Sequence, residues 1–287
     1  MQVYKTVRVR FNRTVGGLWH FGHFMHDFLM PMSDYLETLR PDPSYKIEVI
    51  LFVRCKPRPL KIMDDFLGDF TDIAERLLNI KVRYEHQHFF NTLYDVKLHD
   101  IQCYGFGPYF PQTFDKLLTR AEQAYGLSIC KEHPPVILIE RGYKFISANS
   151  LGLKSSRSGG ALRCIKNHNQ LKDALRSKYG DAFINVVLEY MPFEEQIALF
   201  KSARLVIAQH GAGLCNIAWM TNPRATVFEL PPIKVYTFLN MCIAKGISYR
   251  TTATGLFKNP PMRTKTFIDV TQIMSMLSDI DVDAVRT

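Results

Sequence analysis

Short, continuously apolar runs alternate with longer stretches of helical periodicity along most of the chain. In the second half, "PPVILIER" (134–141), "AFINVVLEY" (182–190), "RLVIAQ" (204–209), "ATVFELP" (225–231) and "ISYRTTATG" (247–255) read as strands. Between them, "NHNQLKDALRSKYG" (167–180), "MPFEEQIALFKSA" (191–203), the apolar run after Gly213 and "KVYTFLNMCIAKG" (234–246) read as helices. Phe193, Ile197 and Phe200 form one stripe of the second, with Pro192 near its start. Strands apolar at every position are buried on both faces, the pattern of a parallel sheet covered by helices.

The first half alternates less cleanly. "YKTVRVRF", "KIEVILFVR", "IKVRYEH" and "VKLHDIQCYG" predict strands, and "HFMHDFLMPMSDYLETL", "LKIMDDFLGDFTDIAERLLN" and "FPQTFDKLLTRAEQAYG" predict helices. With the break placed at "SICKEHPP" (128–135), the chain is expected to form two α/β domains, residues 1–130 and 131–287, each of ordinary domain size. The last helix, "VTQIMSMLSDI", is expected to return to the first domain. The polar, Gly/Ser-rich "ISANSLGLKSSRSGG" (146–160) reads as a loop.

Composition narrows the function classes. At 47% hydrophobic and 22% charged, the 287-residue chain is globular. Its net charge of +9 favours anionic partners, but the basic residues are scattered, which argues against nucleic acid. The six cysteines (55, 103, 130, 164, 215 and 242) include no C-x-x-C pair, so they are expected to be reduced thiols. "MQVYKTVRVRF" alternates like a strand, and no apolar run approaches the roughly 18 residues of a membrane helix. The expectation is a soluble, cytoplasmic protein with no membrane span.

The most informative stretch is "RLVIAQHGAGLCNIAWM" (204–220), in which His210-Gly211-Ala212-Gly213 stands where a buried strand turns into a helix. Ligands of open parallel sheets bind beyond the carboxyl ends of the strands. A helix starting there offers unpaired N–H groups to an anion, and glycines allow a close backbone approach. His210 can donate to a phosphate oxygen or a sugar hydroxyl. A tight turn with a structural histidine is the plain alternative.

The run "FEEQIALFKSARLVIAQHGAGLCNIAWM…ATVFELPP" resembles the signature region of glycosyltransferase family 61, through Gln196, His210, Gly211, Ala212, Gly213, Asn216 and Glu229. "GHFMHDFLMPM" resembles the family's G-H-x-x-x-D helix through His23 and Asp27. "LIERGYK" and "RCIKNHNQL" resemble its basic segments through Arg141, Arg163 and Asn167. The short chain resembles the compact soluble forms of bacteria and large algal viruses more than the secretory-pathway members. The resemblance implies two Rossmann-like domains facing a cleft, the GT-B type of glycosyltransferase architecture. It also implies an inverting transfer from a UDP-sugar to a glycan hydroxyl without an obligatory metal or other cofactor, with xylose ahead of N-acetylglucosamine as the sugar.

Chemistry then suggests roles. The nucleoside diphosphate leaving group develops charge that Arg141, Arg163 and His210 would stabilise, beside the backbone of Gly211, Ala212 and Gly213. Glu229 would accept from ribose hydroxyls, or cap or pair with a neighbour. Asn167 would contribute to the same nucleotide site. Asn216 would bind the donor or cap a turn, and Gln196 would orient its neighbours. The acceptor needs a base, and His23 and Asp27, four residues apart, share one helix face. Asp27 is favoured over His23. His20 and His26 are expected to pack among Trp19, Phe21 and Phe24. One rival reading has His20, His23, His26 and Asp27 ligate zinc in a metal-dependent hydrolase, although no H-E-x-x-H is present. Another is a non-catalytic basic binding module. The Asp-x-Asp series "DIDVD" (279–283) reads as a solvated charge run.

Overall fold

Every strand pairing described in the computed structural model is parallel, and the strands fall into two separate sheets. The structure describes residues 4–11, 21–39, 46–53, 71–86, 99–101, 109–141, 165–231, 236–252 and 266–280. The chain divides into two units, Met1–Gly126 and Leu127–Thr287. Both are α/β, with helices alternating between parallel strands in the Rossmann-like manner. Arg163, His20 and the 146–160 stretch lie outside the described residues.

The first unit contains β1 (Tyr4–Phe11), β2 (Lys46–Val53), β3 (Ile80–His86) and β4 (His99–Ile101), in the order β3-β2-β1-β4. Its first helix, α1, spans residues 21–39 and widens to π-helical over Phe24–Leu29 before continuing as Met30–Leu39. A second helix, α2, spans residues 71–78. The third, α3 (Pro111–Tyr125), starts with proline at its first position, where no N–H is missed. Thr113 Oγ1 of α3 donates to Asp34 of α1 at 2.5 Å, and Lys116 and Arg120 pair with Asp34 and Glu37.

The second unit has β5 (Val136–Ile139), β6 (Phe183–Val186), β7 (Leu205–Gln209), β8 (Thr226–Leu230) and β9 (Ser248–Thr251), in the order β6-β5-β7-β8-β9. Its α-helices are α4 (His168–Tyr179), α5 (Phe193–Ser202), α6 (Thr237–Lys245) and α7 (Val270–Met276). On one sheet face, Val136, Leu138, Leu205, Ile207, Phe228 and Leu230 form a core with α4 and α7. The helix expected to return to the first domain therefore packs at home. Ile273 and Leu277, one turn apart, meet Leu171 and Leu175 of α4. Lys178 Nζ and Arg250 Nη1 donate to the carbonyls of Leu277 and Met276. Asp279, in the supposed solvated charge run, takes both guanidinium nitrogens of Arg250 at 2.6 and 2.7 Å.

Two elements differ from the sequence pattern. The end of "AFINVVLEY" is a 3₁₀ turn, Leu188–Tyr190, rather than strand. The apolar run after Gly211 is also 3₁₀, Ala212–Trp219, rather than α-helix. Three residues per turn eclipse positions i and i+3. Gly213, Asn216 and Trp219 thus form one row, in which the Asn216 amide donates to the Gly213 carbonyl and accepts from Trp219 Nε1. No helix among the described residues is long and apolar enough to cross a membrane.

Candidate active site

In the second unit the chain passes from β5 outward to β6, then returns to the other side of β5 as β7. Such a reversal opens a crevice at the carboxyl ends of the two inner strands, because the flanking connections leave on opposite faces. Glu140 and Arg141 follow β5, and His210-Gly211-Ala212-Gly213 follow β7, so topology alone brings these two segments to one place.

Arg141 Nη2 donates to the His210 carbonyl at 2.5 Å and anchors a cation against the turn. Gly211 has φ 166° and ψ 176°, extended backbone that any residue adopts, so conformation does not call for glycine there. Its lack of a side chain instead leaves room for Arg141, since a Cβ there would run into the movable end of that guanidinium. At Gly213 the demand is packing, since a Cβ would meet Leu188 Cδ1 at 3.0 Å and Ile139 Cγ2 at 3.6 Å. Gly211, Ala212 and Gly213 are half-buried, whereas Leu214 to Met220 are buried, so the accessible backbone is confined to the turn.

The face of the sheet opposite the α4–α7 core carries the polar chemistry. Side chains two apart share a strand face, which puts Ala208 of β7, and His210 just beyond its end, on the face of Val227 and Glu229 of β8 and Tyr249 of β9. The small Ala208 stands directly beside Glu229. Glu229 is fully buried; His210 Nδ1 lies 2.5 Å from its Oε1, and Tyr249 Oη donates to its Oε2 at 2.6 Å. Two donors satisfy a carboxylate that would otherwise be costly to bury. The Phe238 ring of α6 packs on the imidazole, with centroids 5.1 Å apart. Burial, reinforced by the Glu229 charge, pushes the Tyr249 phenol and the Cys242 thiol well above their ordinary ranges. Both stay protonated at neutral pH, so Tyr249 is a donor to Glu229.

Fully buried, Glu229 turns each of its oxygens to a protein donor. Its geometry is that of a group orienting His210, as carboxylates orient the histidines of hydrolytic triads and metal sites. With Nδ1 turned to Glu229, Nε2 is the ring nitrogen that meets no partner among the described residues.

Other expected site residues face inward. Asn216 is fully buried, and its Nδ2 donates to Gln196 Oε1 at 3.0 Å. Gln196 Nε2 in turn donates to the carbonyls of Leu188 and Met191, so the pair staples the 3₁₀ helix to the end of the β6 segment. Asn167 pairs its amide with the backbone of Ile268, donating to the carbonyl at 2.9 Å and accepting from the N–H at 3.1 Å. It pins the segment leading to α7, and its Nδ2 also donates to Gln170 Oε1 at 3.2 Å. Beside Arg141, Glu140 accepts from Asn185 Nδ2 at 2.7 Å, and Asn185 Oδ1 lies 2.9 Å from His168 Nε2.

In the first unit, Asp27 is half-buried within the π-helical Phe24–Leu29. Isolated π turns persist despite their cost, and often at functional sites. His26 is buried, with Nδ1 2.9 Å from the Tyr109 hydroxyl and its ring 5.5 Å from that of Tyr109. It is a packing histidine, held by an aromatic from the segment before α3. His23 closes the turn Phe21–His23, and its side chain lies outside the description. Among the described residues no group of three or more His, Cys, Asp and Glu is placed to hold a metal ion.

Sequence patterning missed Tyr249 and Phe238. Tyr249 carried a faint signal: in a parallel register its strand lies two strands from β7, and alternation puts its side chain on the face of Glu229.

Comparison with known proteins agrees with the sequence motifs. The profile of the family described as Glycosyltransferase 61 matches residues 21–227, which spans both units. No curated protein is significantly similar in sequence. Among solved structures, the E. coli heptosyltransferase WaaC with ADP is similar over 95% of this chain and 97% of that one, at 8% identity and a TM-score of 0.40.

Proposed function

The chain belongs to glycosyltransferase family 61 and is a glycosyltransferase, and we propose that it takes its sugar from a UDP-sugar, inverts the anomeric carbon and needs no metal. The observation that supports this most is the arrangement at the β5/β7 reversal: Arg141 bonded to the His210 carbonyl, and His210 held on Nδ1 by the buried Glu229. A departing diphosphate accumulates negative charge, and preorganised donors aimed at it lower the barrier. Arg141 supplies a fixed cation. His210, as an imidazolium with Nδ1–H held by Glu229, supplies Nε2–H to a phosphate oxygen. The backbone of Gly211, Ala212 and Gly213 supplies a surface without bulky side chains. Arg163 is proposed to join them. Asn167, Asn216 and Gln196 hold the scaffold, and Glu229 acts through His210.

On the acceptor side we propose Asp27 as the base, with His23 as its partner. A base takes the acceptor proton as the hydroxyl attacks the sugar from the face opposite the leaving group, which gives inversion. For the sugar we propose xylose ahead of N-acetylglucosamine, on the family resemblance alone.

The test is a panel of UDP-sugars incubated with the protein and glycan acceptors in excess EDTA. Released UDP is measured, and the anomeric configuration of the product is read by NMR. UDP release with a product of opposite configuration is expected. Absence of turnover with every UDP-sugar, or turnover only after a divalent cation is restored, would contradict the proposal.

A further inference from the structure

We propose that Tyr249 is a positioning residue for the transfer reaction, the third member of a line Tyr249–Glu229–His210 that crosses three neighbouring strands and sets the imidazole for the leaving group. The proposal rests on the donor-site reading above and extends it to a residue on the edge strand β9, away from the turn.

The geometry is continuous. Tyr249 Oη reaches Glu229 Oε2 at 2.6 Å, and Glu229 Oε1 reaches His210 Nδ1 at 2.5 Å. Glu229 lies diagonally across from Tyr249, because β9 pairs Tyr249 with Val227; such diagonal neighbours are within reach of a tyrosine. The carboxylate has no contact with solvent, so its orientation and charge are decided by these two donors. The titratable groups around it are His210 from the end of β7, Tyr249 from β9 and Cys242 from α6; Arg141 stands at the His210 carbonyl. Cys242 stays a thiol, because burial raises it far above the ordinary range. Removing the tyrosine hydroxyl would leave the carboxylate one donor short. Its remaining demand would fall on His210 Nδ1, changing the ring's orientation and proton placement. Phe238 covers the imidazole and limits the motions by which the ring could adjust.

Tyr249→Phe keeps the ring and removes only the hydroxyl. We expect it to melt below the wild type, because a buried carboxylate is left one donor short, and to bind UDP about 10-fold more weakly, the lower end of what removing a histidine's outer partner costs at a metal site. The deciding measurement is a double-mutant cycle. In a His210→Ala background, Tyr249→Phe should change UDP affinity by about twofold or less, because its only route to the ligand is gone. Equal losses in both backgrounds, or no loss in the wild-type background, would overturn the proposal. A second readout needs no ligand. In protein labelled with ¹⁵N-histidine, the His210 ring nitrogens, assigned with His210→Ala, should shift in Tyr249→Phe and again in Glu229→Gln. Unmoved ring signals in Tyr249→Phe would overturn the proposal as well. Should wild-type protein fail to bind UDP, the donor assignment falls while the nitrogen shifts still decide whether Tyr249 acts on His210.

Discussion

The two sheets each reverse strand order once, but they furnish the reversal differently. In the second unit the reversal lies between β5 and β7, and a compact set of side chains fills the space around it: Arg141 on the His210 carbonyl, Glu229 on the imidazole, Tyr249 on Glu229. In the first unit the order β3-β2-β1-β4 places the reversal between β1 and β4. There the helix after β1 carries Asp27 in a π-helical stretch, with His26 turned into the packing against Tyr109. A strand reversal provides a crevice. Whether that crevice grips an anion or deprotonates a hydroxyl depends on the side chains at the strand ends. The second unit presents one cation, Arg141, and accessible backbone, the first a half-buried carboxylate.

If the units divide the work in this way, their substitutions should separate binding from chemistry. The largest effect is expected at Asp27. Removing a general base costs about 10²- to 10⁴-fold, so Asp27→Ala should lose transfer by that order in kcat while UDP titrates as in the wild type. Loss of UDP affinity in that variant would erase the distinction. Next come Arg141→Ala and His210→Ala. Hydrogen bonds to charged groups are worth about 1.5–3 kcal/mol, or roughly 10- to 100-fold in the UDP dissociation constant. Calorimetry should show that fall in each.

Gly211→Ala sharpens the picture on the second unit alone. Its backbone is unstrained, so the melting temperature should hardly move, but the new methyl displaces the Arg141 guanidinium. UDP affinity should therefore fall towards that of Arg141→Ala. Retained affinity would mean that Arg141 does not need its place on the turn.

Asn216→Ala should behave in the opposite way. It leaves Gln196 Oε1 and Trp219 Nε1 without their partner, a loss of about 1–3 kcal/mol of stability. UDP affinity should fall only as far as the turn loosens, and chemical denaturation beside UDP titration separates the two.

The smallest effect is at the exposed Asp279. The hydrogen bond from Arg250 holds its carboxyl below the usual carboxylate range. A depressed value means the pair contributes above the ordinary carboxylate titration and is lost as pH falls through the depressed one. Melting of wild type and Asp279→Asn should differ slightly at pH 7 and converge in acid.

Much of the fold was legible because parallel strands buried on both faces leave an unambiguous trace. "VILI", "LVIAQ" and "TVFEL" each became a strand, and Phe193, Ile197 and Phe200 became the buried side of α5. Legibility failed where tertiary contacts override local preference. Nothing local distinguishes a 3₁₀ run from an α-helix in "AGLCNIAW"; Asn216, bonding forward to Trp219 and back to Gly213, accompanies the tighter winding. The packing of the terminal helix was not legible, because its apolar residues Ile273 and Leu277 fit any apolar stripe, and only the structure shows them against that of α4. In the site, the strand-end position of His210 and Arg141 could be read from the pattern, since topology brings such ends together. The partner of Glu229 could not. Its pairing with His210 and Tyr249 depends on the register of three strands, which the sequence does not specify.

The claim on which the rest depends is that the His210–Gly213 turn and Arg141 hold a diphosphate without help from a metal ion. Isothermal titration of the wild-type protein with UDP in excess EDTA tests it most directly. The account predicts saturable binding at one site, weakened in Arg141→Ala and His210→Ala. Absence of binding until a divalent cation is added, or binding untouched by both substitutions, would contradict it.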